Sequence, residues 1–302
     1  MKITAIMVAL NDAEFMTPCI KAIYNYVDRI CVQTNFDRCW SGARIERDDT
    51  VERILSIPDS EGKISLHIAR LPDQAVARNW LMYLNEYRIG YEYVPTNSSR
   101  KRVEEYYEKP DYFWIIDSDE IYDPETIPAI LDCLEKKRPR ILRVHGLTYF
   151  KSWNYRVSPH YHTCPVVFAR PGTLLHCIRD VANPFWFRLL RNKFWNSGKI
   201  ADYLMEVSRK TRGELVMPMD KAVFHHGSYV GNDKRMAKKI LCSGHHSEFA
   251  GSWYNNVWKA WTPESADFHP VNPGLFKEVR YVPKEQLPSV IRDAEWPDGY
   301  LR

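Results

Sequence analysis

The run Tyr112-Phe113-Trp114-Ile115-Ile116 is wholly apolar and stops abruptly at Asp117-Ser118-Asp119-Glu120. A short apolar run with a sharp polar boundary suits a strand buried on both faces, the kind found inside a parallel sheet. In an extended chain, residues i and i+2 point to the same side. The carboxylates of Asp117 and Asp119 therefore converge just past the C-terminal end of that strand. Open α/β sheets bind their ligands outside the carboxyl ends of the strands. Two like charges there repel unless a cation or a shared proton intervenes. A hard divalent ion, with oxygen ligands and open positions for phosphate, resolves the conflict. The plainer alternative is a solvated acidic turn before the next helix, since an Asp-x-Asp pair alone is common.

The chain around this strand alternates between two periods. Residues 3–9 form a short apolar strand that ends at Asn11-Asp12, and 14–26 read as a helix with Phe15, Ile20 and Ile23 on one face. Residues 28–34 are a second strand, 48–57 a helix that stops before Pro58, and 64–69 a third strand. A longer helix covers 74–88. After the apolar strand come a helix over 124–137 and a strand over 141–149. Between them, 95–102 read as a surface loop and 103–108 as a charged helical turn. The Asn97-Ser98-Ser99 glycosylation pattern in that loop is taken as incidental. Strand–helix alternation predicts an α/β fold, a mostly parallel sheet flanked by helices with right-handed crossovers. The second half loses this rhythm. Strands are expected at 165–170 and 221–226 and helices at 232–243 and 253–261. From Pro263 onward prolines recur, and an irregular extension is expected. The expected division is 1–230 for the main domain and 231–302 for an extension packed on it.

Composition narrows the classes. The 302 residues are 45% hydrophobic and 26% charged, so a sizeable core is available and wholesale disorder is excluded. No apolar run approaches the roughly 18 residues of a membrane span. The first fifteen residues show no small-residue cleavage site, so they read as a strand and not a secretory signal. Seven cysteines, odd in number and without a C-x-x-C pair, argue against a disulfide framework or structural zinc. A reducing, cytoplasmic setting is the expectation. Forty-two Lys and Arg against 38 Asp and Glu give +4, an excess that suits anionic small molecules without requiring nucleic acid.

Three elements together resemble glycosyltransferases of the GT-A fold, family 2 type. They are Ile6-Met7-Val8-Ala9-Leu10-Asn11-Asp12-Ala13-Glu14, Ala77-Arg78-Asn79, and Trp114-Ile115-Ile116-Asp117-Ser118-Asp119-Glu120. They occur in the family's order over roughly the first 150 residues. The resemblance implies a GT-A-like, Rossmann-like nucleotide-sugar fold. It implies a donor site around Ala9, Asn11, Arg78, Asn79, Asp117 and Ser118, with Asp117 near ribose and metal and Asp119 on the metal. Where the family carries a base-reading carboxylate after its second strand, this chain has Val32-Gln33-Thr34-Asn35-Phe36-Asp37, so Gln33, Thr34 or Asp37 would substitute. The family's late Glu-Asp pair is not evident. Asp180 is the first candidate for catalytic base, with Asp202 and Glu206 in reserve.

His226-Gly227-Ser228-Tyr229 resembles a late element that completes the metal shell in some relatives, with Lys234 for the diphosphate. Imidazole with carboxylates suits Mn²⁺, and Mg²⁺ is the other candidate. His225 would point the other way. Lys234, Arg235, Lys238 and Lys239 share one predicted helix, at least two of them on a solvated face. A basic, aromatic-rich stretch over 185–212 reads as an acceptor-side loop, or alternatively as a single-strand nucleic-acid groove. The histidine pair near 244–248 lacks zinc spacing and reads as a loop.

The expectation is a metal-dependent, inverting transferase. It would move a sugar from a UDP- or GDP-sugar to a glycan or small-molecule hydroxyl, with modified nucleic acid as a minority acceptor. A nucleotidyltransferase is the rival enzyme, though no Gly-rich phosphate loop supports it. A non-catalytic carbohydrate- or nucleic-acid-binding protein is the rival of another class.

Overall fold

A computed structural model describes residues 1–35, 38–87, 90–92, 101–103, 108–159, 164–176, 179–181, 213–242 and 251–301. Asp37, the 97–99 acceptor pattern, the 185–212 stretch with Asp202 and Glu206, and the 244–248 loop lie outside the described residues.

In chain order the elements begin β1 (Ile3–Val8), α1 (Ala13–Ile23), β2 (Arg29–Thr34), α2 (Thr50–Ser56), β3 (Ile64–Ile68) and α3 (Gln74–Glu86). The short pair β4 (Gly90–Glu92) and β5 (Lys101–Val103) precedes β6 (Tyr112–Asp117), β7 (Glu120–Tyr122) and α4 (Ile127–Lys137). Then come β8 (Ile141–Arg143), β9 (His145–Ser158), β10 (Val166–Ala169) and the small pair β11 (Leu175–His176) and β12 (Asp180–Val181). The chain closes with β13 (Glu214–Val216), β14 (Val223–Val230), α5 (Asp233–Cys242), β15 (Glu278–Tyr281) and α6 (Ser289–Arg292).

The main sheet has the order β13-β8-β10-β6-β1-β2-β3. Its β6-β1-β2-β3 portion is parallel throughout, and β10 alone runs against its neighbours. The fold is α/β, a mostly parallel sheet flanked by helices. Strands β1 and β6 are central and covered on both faces, which is why both read as near-continuous apolar runs, interrupted in β1 only by the buried Thr4. Their register pairs Val8 with Asp117, so the chain leaves both strands at one point along the sheet edge.

A second sheet, β15-β9-β14-β7, packs beside the first. The single strand expected over 141–149 is in fact two. The chain changes sheets at the buried Val144, with β8 pairing β10 and β13 while β9 pairs β14. Polar and apolar residues intermix in both pieces, so periodicity carries no mark of the crossing. The C-terminal part contributes β15 to this sheet, and Trp253, Trp258, Phe268 and Phe276 pack around Phe150. The helix expected over 253–261 is reduced to the π-type turn Tyr254–Trp258. There Trp258 is fully buried and its Nε1 donates to Asp233 Oδ1 at 2.9 Å. No helix among the described residues is long and apolar enough to cross a membrane.

Candidate functional site

The two aspartates at the end of β6 fall into different environments. Asp117 accepts a hydrogen bond from Arg78 Nη2 at 2.5 Å, and Arg179 Nη1 lies 3.4 Å from its other oxygen. Both guanidiniums are buried. Burial pushes the Asp117 carboxyl up, but the two arginines outweigh it and hold it below the usual range. Arg179 also donates to Glu120 Oε2 at 2.6 Å. Burial, reinforced by Asp117, pushes Glu120 up to about 7 against the pull of Arg179.

Asp119 faces the other way. Lys239 Nζ donates to its Oδ2 at 2.6 Å, Arg235 Nη2 lies 3.9 Å from the same oxygen, and His226 Nε2 lies 3.7 Å from Oδ1. Burial pushes this carboxyl up as well, but the surrounding charges, Lys239 first, hold it well below the ordinary carboxylate range. The short strand β7 makes the arrangement possible. It pairs His226 with Glu120, and Gly227 N–H donates to Asp119 O at 2.8 Å, clamping β14 against the Asp-Ser-Asp turn. Gly227 serves close packing rather than a tight turn. A Cβ there would stand 2.6 Å from Phe15 and 2.7 Å from Trp153.

His226 and His225 separate as alternation along a strand dictates. His225 is buried, with Nδ1 2.8 Å from the Tyr149 hydroxyl, and burial pushes it down to about 3. Burial also lowers His226, so its imidazole is neutral near pH 7. Its buried Nδ1 has no hydrogen-bond partner.

Asp12 and Arg235 complete the cluster. Asp12 occupies the N-cap position of α1 yet caps nothing; its Oδ2 accepts from Ser118 Oγ at 2.6 Å. Burial raises its carboxyl to about 6 despite the nearby cations. Arg235 is not on a solvated face. It is buried, donates to the carbonyls of Ser228 and Val230, and pairs with Asp12 at 3.2 Å and Glu14 at 3.0 Å. A cavity of about 300 Å³ opens here, lined by Asn11, Asp12, Trp40, Gln74 and all four basic residues of α5. Lys239 and Arg235 line it and also reach Asp119, so cavity and aspartate form one site.

The other sequence candidates fall elsewhere. Gln33 and Thr34 are buried and do not line the cavity; Gln33 Nε2 donates to Asn35 Oδ1 and to the Ala69 carbonyl, tying the β2 and β3 ends together. Asn79 exchanges two hydrogen bonds with the Leu175 backbone, which holds β11 against α3. Ala9 is fully buried. Arg78 holds Asp117 and Gln74. Asn11, at a left-handed φ of 55°, bonds the 46–48 loop from the cavity wall, and Lys234 lines the cavity. Asp180 follows Arg179 on β12, paired with His176. Sequence reasoning passed over Asp12, Glu120, Arg179 and Trp40. Asp12 and Glu120 lie within the quoted motifs and Arg179 precedes Asp180, whereas Trp40 carried no local signal.

Whether the donor set suits a divalent ion turns on Asp119 and His226. The imidazole Nε2 of His226, 3.7 Å from Asp119 Oδ1, fits as a second donor beside that carboxylate. Neighbouring donors about 2.0–2.2 Å from one octahedral ion stand about 3 Å apart, so the two side chains would close by about 0.7 Å to share it. Asp117 is turned instead to Arg78 and Arg179. Among the described residues no three His, Cys, Asp or Glu side chains form a metal-holding group. Of the three ligands expected from the sequence, Asp119 and His226 lie together and Asp117 pairs with two arginines.

No known family profile matches the chain, and no curated protein matches it. Solved structures do. One is S. aureus TarS 1-349 in complex with UDP, at 12% identity and TM-score 0.39, over 82% of this chain and 69% of that one. Another is the same protein with UDP-GlcNAc, at 15% identity and TM-score 0.32, over 53% and 37%. A third is glucosyl-3-phosphoglycerate synthase from Mycobacterium tuberculosis with Mn²⁺, UDP and phosphoglyceric acid, at 16% identity and TM-score 0.31, over 49% and 43%. In the latter two the chain spans less than half the length of the matched structure. At TM-scores this low the likeness decides nothing about the chemistry of this chain, which rests on its own residues.

Proposed function

We propose that the chain is a glycosyltransferase that moves a sugar from a nucleotide-sugar donor to an acceptor hydroxyl. The observation that carries this reading is the joining of Asp119 and His226, through Lys239 and Arg235, to a charged cavity whose α5 wall is basic, beyond the C-terminal ends of β1 and β6. A carboxylate–imidazole pair beside clustered ammonium groups suits a diphosphate better than any neutral ligand. Lys234 and Lys238 bind the donor diphosphate, and the Trp40 ring offers a flat face to base or sugar. Asp119 and His226 would hold Mn²⁺ or Mg²⁺, whose contribution is Lewis-acid stabilisation of the departing diphosphate. Arg78 and Arg179 fix Asp117, and so the turn that carries Asp119.

Asp180 is the proposed base, in keeping with inversion. It takes the proton of the acceptor hydroxyl as that oxygen bonds the sugar C1 and the C1–O bond to the diphosphate breaks. The acceptor is a glycan or small molecule. The six described cysteines are unbridged, which suits a reducing setting such as the cytoplasm.

The test is a panel of UDP- and GDP-sugars with Mn²⁺ or Mg²⁺, with and without chelator, scored for released nucleotide. Nucleoside diphosphate released only when the ion is present is the expected result. Pyrophosphate release would instead show nucleotidyl transfer. Donor binding without turnover across an acceptor panel would show a binding protein.

A further inference from the structure

The metal half-site is already engaged by a cation of the protein itself. Lys239 Nζ sits 2.6 Å from Asp119 Oδ2, closer than any other charged group. It comes from α5, whose other basic residues line the cavity. His226 Nε2 stands on the other oxygen of the same carboxylate. Lys239 is partly exposed, at 23% of its side chain, while Asp119 is 9% exposed. The lysine therefore has room to move and the aspartate does not.

Charge counting around the cavity adds a second, independent observation. Four carboxylates, Asp12, Glu14, Asp48 and Asp49, face the four basic residues of α5. With the lining balanced, a nucleoside diphosphate entering alone would bring uncompensated negative charge. Arg235 cannot answer it, since its guanidinium is buried and committed to Asp12, Glu14 and two backbone carbonyls. Lys239 can, because one ammonium ion can leave a carboxylate for a phosphate at little cost in its own charge state. Once it leaves, Asp119 again needs a cation.

We propose that Lys239 is a built-in counter-ion for Asp119 in the free protein, and that the incoming diphosphate draws it away, so that Asp119 and His226 take a divalent ion only together with nucleotide. The inference rests on the proposed function for the identity of the nucleotide, but not for the behaviour of Lys239. Ion and nucleotide are then coupled, and linkage requires each to tighten the other by the same factor. The free protein stays neutralised at a buried carboxylate while no substrate is present, which avoids leaving a lone buried charge.

The test is Mn²⁺ binding to the full chain, read by the paramagnetic resonance of free Mn²⁺, without nucleotide and then with UDP or GDP. Wild type should bind Mn²⁺ weakly alone and at least about tenfold more tightly with its nucleotide, a coupling of about 1.4 kcal/mol. Lys239→Met should bind Mn²⁺ alone about tenfold more tightly than wild type. Lys239→Arg, which keeps the charge, should not. Lys239→Gln serves if the methionine variant fails to fold. Equal Mn²⁺ affinity in wild type and the neutral variants, without nucleotide, would overturn the proposal. So would wild-type binding as tight without nucleotide as with it. If neither nucleotide binds, the transferase reading fails, while the wild-type and neutral-variant comparison still decides the role of Lys239.

Discussion

The parallel end of the main sheet and the aromatic layer around β9 are built on opposite terms. At the first, buried charge is matched by buried charge: Asp117 with Arg78 and Arg179, Asp119 with Lys239, Asp12 with Arg235. At the second, Phe150 is surrounded by Trp253, Trp258, Phe268 and Phe276, and the aromatic rings exclude water from one another. Burying a paired charge contributes little net stability, because desolvation offsets most of the attraction. Burying aromatic area contributes a great deal. The stability of the chain is therefore concentrated away from the site, and the site is free to hold groups chosen for chemistry. The two regions meet at β14, whose His226 belongs to one and whose Tyr229 belongs to the other.

If this division is right, substitutions on the two sides should separate. Phe150→Ala should lose about 3–5 kcal/mol of unfolding free energy. Urea titration measures it, and the variant that remains folded should turn over donor at the wild-type rate. Asp119→Asn should do the reverse, with turnover falling about 100- to 1000-fold, or roughly 3–4 kcal/mol of barrier. Its thermal midpoint should move by only a few degrees. A large stability loss in Asp119→Asn, or a large rate loss in folded Phe150→Ala, would erase the distinction.

Gly227→Ala tests the seam. The added methyl meets Phe15 and Trp153, two rings that cannot swing aside, and overpacking of this kind costs about 1–3 kcal/mol. Because Gly227 also anchors β14 to the Asp119 carbonyl, this variant should lose both stability and turnover.

The remaining effect is in pH. His225 is held neutral, its proton affinity lowered by burial to about 3. An unfolded histidine titrates near 6.5, so below that pH the unfolded chain binds the extra proton and the folded one does not. Stability from this group is complete above about pH 6.5 and drains away as pH falls toward 3. The loss is on the order of 2 kcal/mol by pH 5. His67, lowered by burial to about 4, adds in the same direction. Thermal midpoints from pH 7 to 5 should fall in wild type, and His225→Phe should flatten that slope.

The sequence by itself determined the parallel sheet and the rim on which its carboxylates gather. The near-continuous apolar runs of β1 and β6 admit few surroundings other than a sheet covered on both faces. A strand that ends in Asp-Ser-Asp puts carboxylates at its rim by backbone geometry alone. Alternation likewise split His225 from His226 before any partner was known. Local pattern could not determine who answers those charges. Arg179, Lys239 and Arg235 lie 62, 122 and 118 residues from Asp117 in sequence. No periodicity links them; Lys239 and Arg235 arrive because β7 and β14 pair and α5 follows, and Arg179 because it leads into β12, which pairs β11. For the same reason Gln33, Thr34 and Asn79, plausible by position, were claimed by neighbouring backbone instead. Asp117 and Asp119, alike in sequence, were given opposite tasks: one is locked between arginines and the other left to a movable lysine. Charge identity is local, but charge pairing in a low-dielectric interior depends on distances that only the packed fold sets.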